Sequence, residues 1–340
     1  MINRLEGESL VTLQTRTLPD YDKHLIVQGD LVEQRTWAGR RRAKISECDH
    51  EVLVGSRNGI TGSRKGLRLS VLSSGSSGNA TYIESSAGGL LVDAGLPCRR
   101  IEALLARLGR SLDDVGAVLL THGHADHASG VRSLIRECGL EVFAAPGAGE
   151  RLNATTTALG EAFEVRGLSA IFFEVPHDSS TYGLRLSNGE CDVAMATDLG
   201  EAGQKVLRYM SGAEAVVLEA NHDPDWLRSG PYSARLKRRI SSASGHLSNR
   251  QAAEVALALA PHGLKDLVLA HLSKTNNSPA RACGTVHKAL REAGYGGIRV
   301  RAAMAGHPTP WVEAGTPLEA SEYLYRYAAE GEACQLFEIE

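Results

Sequence analysis

The chain predicts an α/β fold, and three observations predict it. Short apolar runs of strand length alternate with segments of helical periodicity. Several of those runs stop abruptly at a His or an Asp. One stops at Thr121–His127, written THGHADH, just ahead of a helix-like segment. Alternating strands and helices bring strand ends to one edge of a sheet, so these polar termini are expected to meet.

A length of 340 residues allows one large domain or two small ones, and 43% hydrophobic residues suffice for a sizeable core. The net charge of −3 argues against a protein that coats nucleic acid nonspecifically, while leaving room for a local basic groove. Six cysteines are scattered without a CxxC pair, and no signal-peptide pattern opens the chain. Both point to a reduced, cytoplasmic protein. No apolar stretch approaches the roughly 20 residues that span a bilayer.

Residues 1–66 read as an N-terminal extension, with Arg40, Arg41, Arg42 and Lys44 beside Trp37 and a weak strand at Glu51–Val54. From Leu67 the pattern changes. Leu67–Leu72 alternates as a half-buried strand, and a Gly/Ser loop, Ser73–Asn79, follows. Thr81–Ile83 and Leu90–Val92 are strands, the second ending at Asp93. A carboxylate there is expected to orient a ligand histidine. Ile101, Leu104, Leu105 and Leu108 mark an amphipathic helix closed by Gly109.

Ala117–Leu120 is a buried strand that delivers the THGHADH turn. If the backbone stays extended, His122 and His124 point to one side. Asp126 and His127 then fall where a helix begins, and a helix N-terminus favours an ionised carboxylate. Three of the chain's 12 histidines and an Asp within six positions make a solvated polar turn a poor explanation.

Glu141–Ala145 is a strand after which Pro146 opens a helix. Ser169–Val175 is a strand ending at Pro176-His177-Asp178, and Val193–Ala196 one ending at Asp198, with Tyr182–Leu186 between them. Ala215–Leu218 runs into Glu219–Asp223 without an assigned role. Tyr232–Ile240 is a basic helix, Ser248 caps a helix reaching Ala260, and Leu267–Ala270 ends at His271. Pro279–Ala293 is a helix and Ile298–Ala302 the last strand. Residues 67–306 thus form the catalytic domain and 307–340 an acidic appendage with Tyr323, Tyr325 and Tyr327.

The ligand count suits two divalent ions. His122, His124 and His177 hold one, and Asp126, His127 and His271 the second. Asp198 bridges, since two dications about 4 Å apart need negative charge between them. A shared water at such a pair becomes acidic enough to be a nucleophile near neutral pH.

The motifs LSSGSSGN, VDAG, HGHADH, PHD, TDLG, NHD, GHLSN and HLSKTNN occur in this order over residues 67–305. Together they resemble the exonuclease branch of the metallo-β-lactamase superfamily related to ribonuclease Z and phosphodiesterases. The resemblance implies an αββα four-layer sandwich, a dinuclear Zn²⁺ or Mn²⁺ site and 5′→3′ exonuclease action on double-stranded DNA. It implies that His246 is a general acid or a donor to the phosphate, with Asp126 also in the catalytic set. Gly123 departs from the Glu the family would place there.

Arg235, Lys237, Arg238 and Lys274 are candidates to neutralise phosphates, with Ser76, Ser77 and Asn79 receiving a terminal one. No aromatic-rich platform stands out, which favours a duplex backbone reader over a reader of splayed bases. The rival functions are hydrolysis of RNA or a small cyclic phosphodiester, a thioesterase or lactonase on the same fold, and a non-catalytic binding protein.

Overall fold

The computed structural model describes residues 66–150, 152 and 154–315. The basic cluster near Trp37, the strand expected at Glu51–Val54 and the three late tyrosines lie outside them. Two seven-stranded sheets form the centre. The first runs β14-β1-β2-β3-β4-β5-β6, built from β1 (Leu67–Ser73), β2 (Ala80–Ser85), β3 (Gly88–Val92), β4 (Val115–Leu120), β5 (Glu141–Ala144), β6 (Thr155–Thr156) and β14 (Val312–Ala314). The second runs β13-β12-β11-β10-β9-β8-β7, built from β7 (Phe163–Val165), β8 (Leu168–Val175), β9 (Thr181–Ser187), β10 (Asp192–Ala196), β11 (Ala215–Glu219), β12 (Asp266–Ala270) and β13 (Arg299–Ala302).

Strand alternation builds three apolar layers. Leu90, Val92, Ala117 and Leu119 of the first sheet face Val193, Met195, Val217 and Val268 of the second. Their neighbours point outward. Leu91, Val118 and Leu120 meet helices α1 (Cys98–Ala106) and α3 (Val131–Cys138) through Ile101, Leu104 and Leu134. Ala194, Val216 and Leu267 meet α4 (Gln204–Met210), α7 (Asn249–Leu259) and α8 (Pro279–Glu292). The result is the expected αββα sandwich, with parallel runs β3-β4-β5 and β10-β11-β12-β13 whose inner strands, such as β4, β11 and β12, are buried on both faces.

Three local expectations differ. Pro146 opens no helix; residues 146–150 form turns, because Gly147 takes a left-handed φ of 79° and breaks the run. The stretch assigned to the appendage begins inside the sheet, since β14 pairs antiparallel with β1, Leu67 opposite Ala314. Ser233 caps the basic helix α6 (Ala234–Ile240), so it starts two residues later than Tyr232. Among the described residues no helix is long and apolar enough to cross a membrane.

Candidate metal centre

The C-terminal ends of β3, β4, β10, β11 and β12 deliver Asp93, Thr121, Asp198, Glu219 and His271 to one place. Ligand sites in α/β sheets form at such strand ends. Asp93, Asp198 and His271 all take left-handed backbone, φ 59°, 57° and 55°. Non-glycine residues hold that conformation only where the surroundings over-determine it.

Six imidazoles close a circuit around the cleft. Ring centroids are 4.0 Å apart for His122–His127, 4.8 Å for His122–His124 and 6.0 Å for His124–His177. The circuit returns through His177–His246 at 5.2 Å, His246–His271 at 5.3 Å and His271–His127 at 6.3 Å. His122 and His124 do lie on one side, with His124 extended as the residue before α2 (Ala125–Ala128).

Five of the six rings, all but His124, are held through Nδ1. His127 Nδ1 lies 2.7 Å from Asp93 Oδ2. Thr121 Oγ1 bonds Asp93 and sits 3.0 Å from His122 Nδ1, so one carboxylate steadies two imidazoles. His177 Nδ1 donates to Gly245 O at 2.9 Å. Gly245 must be glycine, since a Cβ there would meet Arg239 O at 2.2 Å. The VDAG glycine, Gly95, has the same role at the other edge, where a Cβ would lie 1.6 Å from Asp126 O.

Glu219 is the residue that sequence reasoning missed. It is fully buried, and its carboxylate accepts from His246 Nδ1 at 2.9 Å, His271 Nδ1 at 2.7 Å, Leu199 N at 3.0 Å and Leu247 N at 3.2 Å. The available signal was an ionisable residue closing a fully buried run, AVVLE. Burial works against its charge, but His246 and His271 hold its carboxyl down at about 2.

The electrostatics suit cations. Burial and the neighbouring His127 push His122 down to about 4. Burial also opposes protonation of His127, but Asp93 and Asp198 raise it to about 10. Asp198 resists its own burial through His271 and His127 and stays ionised well below the usual carboxylate range. His222 is buried at the end of β11 and pushed down to about 4 by that burial.

The donor set fits a divalent metal. Buried His122 Nε2, His271 Nε2 and Asp198 Oδ2 have no aligned hydrogen-bond partner among the described residues, and unpartnered buried polar atoms are costly. Ligand atoms gather in three groups: His122, His127 and Asp198; Asp126, His127 and His271; and Asp198, Glu219, His246 and His271. Asp198, His127 and His271 each belong to two of the groups, so the three are contiguous. His124 and His177 stand beside these groups, His124 with its ring centroid 4.8 Å from that of His122 and 6.0 Å from that of His177.

The expected phosphate contacts divide. Ser76 and Ser77 are exposed, and Lys274 Nζ reaches Ser77 Oγ at 3.5 Å across the cleft. Asn79 is buried, its amide committed to Gly75 N at 2.8 Å and to His127 Nε2 at 2.9 Å, so it braces the loop rather than facing a phosphate. Arg235 and Arg238 are exposed on α6. Lys237 is turned inward, its Nζ donating to Arg228 O at 2.7 Å. Arg239 bonds Asp178, whose Oδ1 lies 3.1 Å from His177 Nε2. At Gly123 a Cβ would stand 3.7 Å from Ala148 O, so nothing there excludes a side chain.

Residues 89–272 match the family described as Beta-lactamase superfamily domain. The exodeoxyribonuclease WalJ of Streptococcus pneumoniae is 36% identical over 245 residues, covering 68% of this chain and 91% of the relative. The exodeoxyribonuclease YycJ of Bacillus anthracis is 36% identical over 244 residues, 68% and 92%. Among solved structures, the metallo-β-lactamase fold protein YhfI of Bacillus subtilis aligns with a TM-score of 0.54 at 19% identity, covering 73% of this chain and 99% of that one. The extent of these matches, together with the sandwich and its His/Asp cluster, establishes that the chain belongs to the metallo-β-lactamase-fold branch of the β-lactamase superfamily.

Proposed function

We infer that the protein is a dinuclear metal phosphodiesterase, a 5′→3′ exonuclease acting on double-stranded DNA. The observation that carries this reading is the closed imidazole circuit beside Asp198, in which the buried Nε2 atoms of His122 and His271 have no aligned hydrogen-bond partner. The relatives named exodeoxyribonuclease support the substrate class.

His122, His124 and His177 would hold one ion and Asp126, His127 and His271 the second, with Asp198 between them; His127 has only Nε2 to give, since Asp93 holds its Nδ1. Zn²⁺ suits the nitrogen-rich donors and Mn²⁺ the carboxylates. When bound, the pair supplies charge neutralisation at the phosphate and an acidified water. Two ions need more donors than the groups above share between them, and Asp198 offers two oxygens to that end.

The chain's own groups do the rest. Glu219 takes Nδ1 of His246, which leaves Nε2 to give a proton to the departing oxygen. Burial opposes the charged ring, but the Glu219 carboxylate raises His246 above its ordinary value and keeps a proton available. His246 is partly exposed, as a group that touches substrate must be. Ser76, Ser77 and Lys274 line the path for a terminal phosphate, and Arg235 and Arg238 extend the positive surface. Cys98, Cys138, Cys191 and Cys283, the cysteines among the described residues, form no disulfide, which is consistent with a reducing compartment.

The test is a panel with Mn²⁺ or Zn²⁺: 5′-phosphorylated duplex DNA, single-stranded DNA, RNA, a nitrophenyl phosphodiester and a lactone. Duplex DNA is expected to be consumed from its 5′ end. Preference for the lactone, or full turnover in strong chelator, overturns the reading.

A further inference from the structure

Residues 224–253 carry Arg228, Arg235, Lys237, Arg238, Arg239 and Arg250 against a single acidic residue, Asp225, in a chain of net charge −3. The structure gathers part of this charge around an aromatic ring. Trp226, on α5 (Pro224–Ser229), is 37% exposed and is one of two large apolar side chains in solvent among the described residues. A single exposed apolar side chain carries little meaning, but this one is dressed with cations.

The Arg281 guanidinium, from the first turn of α8, lies over the indole at 4.4 Å and donates to Asp223 Oδ2 at 3.1 Å. Arg228 pairs with Asp225 at 2.7 Å, and Arg250, at the start of α7, approaches the same carboxylate at 3.8 Å. Two carboxylates therefore face three guanidiniums. The patch is one loop away from the metal centre. Residues 271–278 run from His271 to Ser278, the N-cap of α8, and Asn276 O accepts from Asp223 N at 2.8 Å.

An exonuclease that consumes one strand of a duplex leaves the complementary strand unpaired. Unpaired bases offer flat faces to aromatic rings, and their phosphates need cations. We propose that Trp226, with Arg281, Arg228 and Arg250, forms a stacking platform outside the metal centre that holds the unpaired strand while its complement is digested. This rests on the nuclease reading above. Guanidinium groups alone would also draw an acidic peptide, but only a base needs the exposed indole between them.

The experiment measures binding of the metal-loaded full chain to phosphorothioate-linked duplexes, blunt or with a 3′ single-stranded overhang. The native chain is expected to prefer the overhang. Trp226→Leu, which keeps apolar bulk and removes the π face, is expected to weaken overhang binding about 5- to 100-fold, and Trp226→Phe to keep most of it. Arg281→Ala is expected to lower the slope of log affinity against log salt by about one phosphate contact. Metal content and melting temperature report that the variants fold. The platform is overturned if Trp226→Leu retains the overhang preference, if Trp226→Phe fails as Trp226→Leu does, or if polyglutamate displaces the oligonucleotide as well as an unlabelled overhang. Failure of the native chain to bind any nucleic acid sinks the nuclease reading as well, which separates the two outcomes.

Discussion

His271 Nδ1 rests 2.7 Å from Oε1 of Glu219, the same oxygen that accepts from His246 Nδ1 at 2.9 Å. One buried carboxylate oxygen thus orients a candidate metal ligand and the candidate proton donor together. Glu219→Gln puts an amide NH₂ among donors and removes the charge that raises His246. Turnover is expected to fall about 10- to 100-fold. A general acid must be protonated, so the alkaline limb of the kcat profile is expected to move to lower pH, which a rate-against-pH series checks.

His246→Ala is expected to lower kcat on DNA by about 10²- to 10⁴-fold while metal content is unchanged. A nitrophenyl diester, whose leaving group needs no proton, is expected to be spared much of that loss. His271→Ala is expected to lose metal outright. Parallel metal analysis and kinetics separate the two; loss of metal from the His246 variant would reverse their roles.

Asp198→Asn tests the bridge without breaking the backbone. Asparagine tolerates the left-handed φ of 57° at this position, but it brings no negative charge to the site. The variant is expected to fold, bind little metal and show no turnover. Asp198→Ala is expected to behave alike and to lose about 1 kcal/mol more stability from backbone strain, readable by denaturant titration.

Metal-free protein is expected to be most stable near pH 6.5. His127 is raised to about 10 in the fold, so its contribution is complete below the unfolded value of about 6.5 and fades as pH climbs towards 10. His122 and His222 are depressed to about 4, so the unfolded chain binds more protons between about 4 and 6.5, and stability falls as pH drops through that window. Metal requires a neutral His127, so loading is expected to release protons and flatten the alkaline decline. Calorimetry in buffers of different ionisation enthalpy and melting curves across pH check both.

Two glycines of the site are expected to respond oppositely. Gly95→Ala drives a methyl into Asp126 O and is expected to cost about 3 kcal/mol or more, with loss of metal. Gly123→Ala meets only ordinary contact and is expected to shift stability by no more than about 1 kcal/mol, in the stabilising direction. Urea melts of the two variants decide.

The strands that frame the cleft were legible because they are buried on both faces, which writes them as unbroken apolar runs such as AVLL and LVLA ending in His or Asp. The helix at Ser248 was legible from its cap, since Gln251 completes a capping box there. Strand β14 was not, because a three-residue edge strand carries too few side chains to show a period. Glu219 escaped because a partner in space, not in sequence, gives it a role: His246 and His271 are 27 and 52 positions away. The same holds for Asn79, whose short polar side chain looked fit for an external anion until His127 was found beside it. Trp226 stands apart from other aromatics along the chain, and only folding lays Arg281 upon it.

His122, His124 and His127 precede residue 130, and His177, His246 and His271 follow residue 176. A ribosome therefore finishes one half of the circuit well before it begins the other. A cation meeting the early half would face open solvent where the second sheet has yet to arrive. The circuit is complete only once translation has passed His271, and a chain truncated upstream of that histidine is expected to emerge without bound metal.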